Sequence, residues 1–310
     1  MIYSALFLLV SGAPTSVQYP FSSNPVENFP LFIQYAGASY CERTVVPEAP
    51  DFNCGGRCTG DALGTVLSKA VNDKSTEGAA FVGYKSSFKL IIVSIRGSYT
   101  TKNWLSNVDF GRSIVDWPAI EGFSTIKPFP KKATIHAGFE KTYLSIRKDL
   151  QLAIKDAADS FPDYSIVFTG HSMGGSLASI GAVDFINHFG LTYANRVSVY
   201  SYGEPRAGNR AWAEYVQSYP HSSRIYRIQR LGDLGNCIHL NGVVIHLPYQ
   251  WTGYVHSGRQ YTLLDDQKTV QTCQTSGPAG ESDACLKYDN DKLKISVHLS
   301  YYNYRSNKCE

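Results

Sequence analysis

One pentapeptide narrows the folds open to this chain more than any other feature: Gly170-His171-Ser172-Met173-Gly174, set between a β-branched run and a long stretch of small apolar residues. Residues 165–169, Ser-Ile-Val-Phe-Thr, read as a short buried strand. Residues 174–189 have helical rhythm, and Gly190 follows as a stop. A serine in so sharp a strand-to-helix turn has its hydroxyl held clear of the backbone. Gly170 and Gly174, with Gly175, remove Cβ atoms where strand and helix crowd. A bare G-x-S-x-G would arise by chance in roughly one such chain in five, so the setting carries the weight. It makes Ser172 a candidate nucleophile and puts the Met173 N–H at a helix N-terminus, where it can stabilise an oxyanion.

The rest of the chain repeats the alternation. Leu90-Ile91-Ile92-Val93-Ser94-Ile95 is a buried strand ending at Arg96-Gly97. Residues 142–161 place Leu144, Ile146, Leu150, Ile154 and Ala157-Ala158 at helical spacing before Pro162, and residues 196–202 form the next strand. Strand, helix, strand, helix, strand predicts an α/β protein with a largely parallel sheet, whose ligands bind beyond the carboxyl ends of the strands. With no internal repeat, linker or charge run, residues 17–310 are expected to form a single domain. The preceding apolar run, Ile2 to Val10 followed by Ser11-Gly12-Ala13, has the length of a signal-peptide core, so residues 1–16 are expected to direct export to the extracellular space. That run is far too short to span a bilayer, and no other transmembrane segment is expected. A net charge of +3 with no basic block argues against a nucleic-acid partner.

A serine hydroxyl needs a base to take its proton, and that base is usually a histidine oriented by a carboxylate. In this fold class the acid and then the histidine follow the serine. The downstream acids include Asp184, Glu204, Asp233, Asp265 and Asp266; the histidines are His188, His221, His239, His246, His256 and His298. Asp233 stands out because it follows the strand at residues 225–229. His171 is excluded as the base because neighbours at the elbow point apart, and His188 lies deep in the following helix. Spacing does not separate His256 from His298.

Seven cysteines suit an oxidising compartment. Pairing Cys54 with Cys58, Cys273 with Cys285 and Cys41 with Cys309 would leave Cys237 free, although spacing does not fix connectivity. The rival for Cys54-x-x-x-Cys58 is a zinc site, but no His/Cys pair at ligand spacing accompanies it; no metal is expected.

Taken together, Gln34 to Cys41, Ile95-Arg96-Gly97-Ser98, Asn103-Trp104, His136-Ala137-Gly138-Phe139, the elbow, Tyr202-Gly203-Glu204-Pro205-Arg206-Ala207-Gly208-Asn209, Tyr226-Arg227-Ile228 before Asp233, and Val297-His298-Leu299 resemble the fungal and yeast extracellular class 3 lipases. The resemblance spans most of the chain. It implies an α/β-hydrolase fold with a lid, a triad of Ser172, Asp233 and His298, and an oxyanion hole from Ser98 and the Met173 backbone. His256 matches a Tyr-x-His-Ser segment outside that triad. The cysteine pairing above agrees with the family's tether between N-terminal helix and C-terminus. The lid would begin at Tyr99 and run to about Val108, with Trp104 and Leu105 meeting lipid. Acylglycerols or other lipid esters at a lipid–water interface are the implied substrates, with no cofactor. A feruloyl-type esterase and an inactive lipid-binding relative are the alternatives. The chain departs from the pattern after Asp233, where Leu234-Gly235-Asn236-Cys237 replaces a hydrophobic-proline run, and in carrying Met173 where many relatives have leucine.

Overall fold

The computed structural model describes residues 22–47, 51–99, 110–120, 122–123, 125, 127–231, 233, 244–273, 295–307 and 309. The expected signal segment, Trp104 and Leu105 of the expected lid, the loop from Leu234 to Cys237, and Cys285 lie outside them. Eight strands form one sheet whose spatial order is the chain order: β1 (Val66–Asp73), β2 (Gly78–Lys85), β3 (Leu90–Ile95), β4 (Ser165–His171), β5 (Val197–Tyr202), β6 (Ile225–Arg230), β7 (Arg259–Leu263) and β8 (Val270–Thr272). From β3 to β7 every pairing is parallel, and antiparallel strands flank both ends. This is the α/β-hydrolase architecture.

Burial on both faces explains the near-continuous apolar strands. In β3, Ile91, Val93 and Ile95 join the core beneath α2 (Ala137–Ser160) and α3 (Met173–Phe189). Leu90 and Ile92 point the other way, into the core under α1 (Phe29–Ala38). The helix expected from residue 142 begins five residues earlier, because His136 caps it: its Nδ1 accepts the N–H groups of Gly138 and Phe139 at 3.1 and 3.3 Å. Leu144, counted on the apolar face, is 41% exposed; Tyr143 and Arg147 lie on the buried face instead. A small second sheet, residues 112–114, 134–136, 208–209 and 254–255, was not foreseen.

The chain ends are tied down covalently. Cys41, just beyond α1, is bonded to Cys309, and Cys54 to Cys58, two of the three expected pairings. Cys273 is disulfide-bonded too. Arg57 reinforces the tether, donating to the Arg305 carbonyl and lying 5.0 Å from the centre of the Tyr304 ring.

Between α2 and α3 sits a buried polar cluster. Arg147 grips Asp184 with two nitrogens, Nε at 2.8 Å and Nη2 at 3.1 Å, while Tyr143 donates to the same carboxylate at 2.5 Å. His188 Nδ1 stands 2.9 Å from Asp184 Oδ1, and its Nε2 accepts from Arg147 Nη2 at 3.0 Å. Asp184 and His188 are thus committed to joining two helices. Burial alone would raise the Asp184 pKa, but the His188 and Arg147 bonds outweigh it and hold the group below its ordinary value. A depressed carboxylate stabilises the fold above its unfolded pKa of about 3.9 and loses that contribution as pH falls through the lower folded value. Removing one partner strands a buried charge, which costs about 3–5 kcal/mol. Arg147→Ala is therefore expected to lose stability of that order in urea unfolding at pH 7, with a smaller difference from the parent at pH 3. A loss below about 1 kcal/mol, the range of an exposed pair, would contradict this account.

Candidate active site

The elbow is built by backbone contact. A Cβ on Gly170 would stand 2.3 Å from the Gly174 oxygen, and one on Gly174 would stand 2.3 Å from the Ile95 oxygen. Side chains cannot occupy those positions, so β3, β4 and the first turn of α3 meet through glycine. Ser172 takes up the geometric consequence, with φ 59° and ψ −132°, a conformation non-glycine residues rarely adopt and one that costs of order 1–3 kcal/mol. Its N–H donates to the Tyr202 carbonyl at 2.8 Å, pinning the turn to the end of β5. The residue sits at the carboxyl end of β4, with Met173 the first residue of α3; the first amides of a helix have no partner within it. Ser98, just past β3, lies beside Met173: its Oγ is 3.7 Å from Met173 Sδ.

Two loops bring the acid and the imidazole to the same end of the sheet. Asp233 follows β6 and is fully buried; its N–H donates to the Arg230 carbonyl at 3.0 Å. His298 ends the short helix Ile295–His298, also fully buried, with Nδ1 2.9 Å from Asp233 Oδ2. As the carboxylate can only accept, Nδ1 carries the proton and leaves Nε2 as the basic atom. That Nε2 is buried and makes no hydrogen bond among the described residues. The imidazole lies beside His171, the neighbour of Ser172, with ring centres 4.6 Å apart and planes tilted by 40°. It also packs on Gly203, where a Cβ would fall 2.6 Å from His298 Cε1. Asp233, His298, Ser172, Met173 and Ser98 thereby lie at the same, carboxyl end of the parallel strands. His256 is directed elsewhere, its Nε2 bonded to the Ile245 carbonyl at 2.8 Å.

Two supporting residues escaped the sequence reading. Tyr301 donates its hydroxyl to Asp233 Oδ2 at 3.1 Å, giving the carboxylate a second fixed donor; burial, then the Asp233 charge, push its own pKa well up. His171, excluded as a base, has Nε2 2.9 Å from the His298 carbonyl, so Nε2–H donates and holds the backbone of the partner imidazole. Burial, followed by the nearby His298, depresses the His171 pKa strongly, so it remains neutral and can keep that role. The first tyrosine of His298-Leu299-Ser300-Tyr301-Tyr302, three residues past His298, is the available signal for Tyr301; nothing local marks His171. At the start of the expected lid, Tyr99 is 42% exposed, and Arg96 lies over its ring at 4.1 Å and donates to its hydroxyl at 2.8 Å.

Comparison with known proteins gives the same picture. The family model described as lipase (class 3) matches residues 92–234. The chain is 27% identical over 296 residues to a lipase of Rhizomucor miehei, covering 93% of this chain and 71% of that protein. It is likewise 27% identical over 288 residues to secreted mono- and diacylglycerol lipase 1 of Fusarium solani, covering 91% and 77%. Among solved structures, a triacylglycerol lipase whose catalytic centre is a serine-protease triad superposes with a TM-score of 0.74 at 26% identity, covering 93% of this chain and 98% of that one. In sequence over residues 92–234, and in fold over most of its length, the chain is thus similar to the class 3 lipases.

Proposed function

We propose that the protein is a secreted acylglycerol lipase that cleaves ester bonds at a lipid–water interface through Ser172, Asp233 and His298. The observation that carries the reading is the buried Asp233–His298 pair, 2.9 Å apart, delivered beside the strained Ser172 elbow with its Nε2 open. In the reaction, His298 Nε2 takes the Ser172 proton as Oγ bonds to the ester carbonyl carbon. The oxyanion of the tetrahedral intermediate is met by the Met173 N–H and by Ser98. Collapse breaks the bond to the alcohol, which leaves with the proton from His298. Water then repeats the sequence on the acyl-enzyme, releasing the fatty acid and restoring Ser172. Asp233, fixed by Tyr301, keeps the Nδ1–H tautomer in place throughout.

Lipid substrates are favoured because the relatives are themselves called lipases and mono- and diacylglycerol lipases. One solved relative at 26% identity, TM-score 0.75, is a fungal lipase–inhibitor complex described as a model for interfacial activation. In the proposal the lid starts at Tyr99 and carries Trp104 and Leu105, whose apolar surface would move onto the lipid aggregate instead of into water. Secretion fits the Cys41–Cys309 and Cys54–Cys58 disulfides and relatives called secreted. No helix among the described residues is long and apolar enough to cross a membrane.

Two experiments test the reading. A fluorophosphonate probe is expected to label the native protein and fail on Ser172→Ala, and Asp233→Asn is expected to lower kcat by a factor on the order of 10⁴ with the fold intact. Labelling that persists in Ser172→Ala would remove the proposed nucleophile. For substrate class, emulsified acylglycerols are expected to be hydrolysed faster than dissolved feruloyl esters; turnover confined to the feruloyl esters would overturn the lipase assignment.

A further inference from the structure

Against α3 lies a buried carboxyl that the triad does not use. Glu204 is 1% exposed. Its Oε1 accepts from Ser179 Oγ of α3 at 3.2 Å, and its Oε2 accepts from Ser201 Oγ of β5. The next residue continues the clasp, since the Pro205 carbonyl accepts from Ser176 Oγ, also of α3, at 2.9 Å. The same short turn touches both reacting groups. Its Tyr202 carbonyl receives the Ser172 N–H, and its Gly203, at φ +58°, forms the floor on which the His298 ring rests.

We propose that Glu204 is a positioning residue of the reaction: by bridging Ser179 and Ser201 it fixes the turn of residues 201–205, and through Tyr202 and Gly203 that turn sets Ser172 against His298. The proposal rests on the ester-hydrolase reading above and adds to it a residue outside the triad that governs the triad's geometry. A misplacement of about 1 Å far from the chemistry can cost on the order of 100-fold in rate, so a clasp at this point has ample leverage.

The bridge also titrates. Burial raises the Glu204 pKa to about 7, while the Ser201 bond, the Arg227 charge and the Ser179 bond pull the other way. Of the groups facing it, Ser176 and Ser179 from α3 and Ser201 from β5 are neutral, and β6 supplies the cation Arg227, whose Nη2 also lies 3.4 Å from Gln260 Oε1 of β7. When ionised, the carboxylate accepts from both serines, and charge-assisted bonds are roughly twice as strong as neutral ones. When protonated, one oxygen becomes a donor and the two-sided clasp weakens. Activity should therefore gain from the deprotonation of Glu204 near neutral pH.

The test is the pH dependence of kcat/KM on a soluble short-chain ester, together with the rate of fluorophosphonate labelling, for the native protein, Glu204→Gln and Glu204→Ala. The native acid limb is expected to rise more steeply than a single ionisation allows. Glu204→Gln, which matches the protonated carboxyl in shape and keeps one acceptor, is expected to lower kcat/KM at its optimum by about threefold to tenfold and to show a single-ionisation limb. Glu204→Ala is expected to lower the labelling rate of the folded protein by about tenfold or more with little change in KM. Should Glu204→Ala fail to fold, the Glu204→Gln profile decides. Identical acid limbs in the native protein and Glu204→Gln, or a folded Glu204→Ala labelled at the native rate, would overturn the positioning role alone. A native protein that the probe does not label at Ser172 would sink the ester-hydrolase reading itself, and this proposal with it.

Discussion

The close approach of three backbone segments at Gly170, Gly174 and Ile95 is the constraint on which the site depends. No side chain fits between β4 and α3 there, since a Cβ would meet carbonyl oxygen at 2.3 Å. The helix can therefore start immediately after the strand, Ser172 is forced into a positive-φ conformation, and the first α3 amides face the strand-end cleft. Everything else is arranged about that fixed point: β5 receives the Ser172 N–H through Tyr202, β6 carries Asp233, and the C-terminal segment lays His298 over Gly203. The strain at one residue is sustained because packing on all sides leaves it no relaxed alternative.

Among the described residues, two aspartate–histidine pairs are buried, and their different surroundings suit them to different work. Both have a histidine Nδ1 2.9 Å from a carboxylate oxygen with no solvent access. In the Asp184–His188 pair, Arg147 neutralises the carboxylate and also donates to His188 Nε2, so every polar edge is consumed and the cluster becomes a brace between helices. In the Asp233–His298 pair, the second donor to the acid is the neutral Tyr301, and Nε2 is left open. A full complement of partners makes a strut, and one withheld partner leaves a base available.

The contrast explains what could be read in advance. The β-branched runs ending at Ile95 and Tyr202 and the elbow at Ser172 were legible because periodicity and glycine placement are local. Asp184 and Asp233 are equal as letters; the place after a strand singles out Asp233, while the structural work of Asp184 shows only in its contact with Arg147. His256 and His298 could not be ranked by spacing, and it took the family resemblance to prefer His298; the structure directs His256 to a backbone carbonyl instead. Leu144 lies two residues, about 200° of helix, from Ile146, and so falls off the buried stripe of Tyr143, Ile146, Arg147 and Leu150. The small second sheet pairs strands of two or three residues from distant parts of the chain, and runs that short leave no periodic trace.

The disulfide from Cys41 to Cys309 spans a sequence separation of 268 residues and draws the last stretch of chain back onto the first helix. His298 and Tyr301 both belong to that last stretch. On the proposed triad, a growing chain would carry its nucleophile and acid long before its base, and would remain chemically silent until the segment bearing His298 had emerged and docked. A lipid-cleaving protein made beside cellular membranes would then be assembled from parts harmless in isolation, with the docking of that segment serving as its first safeguard.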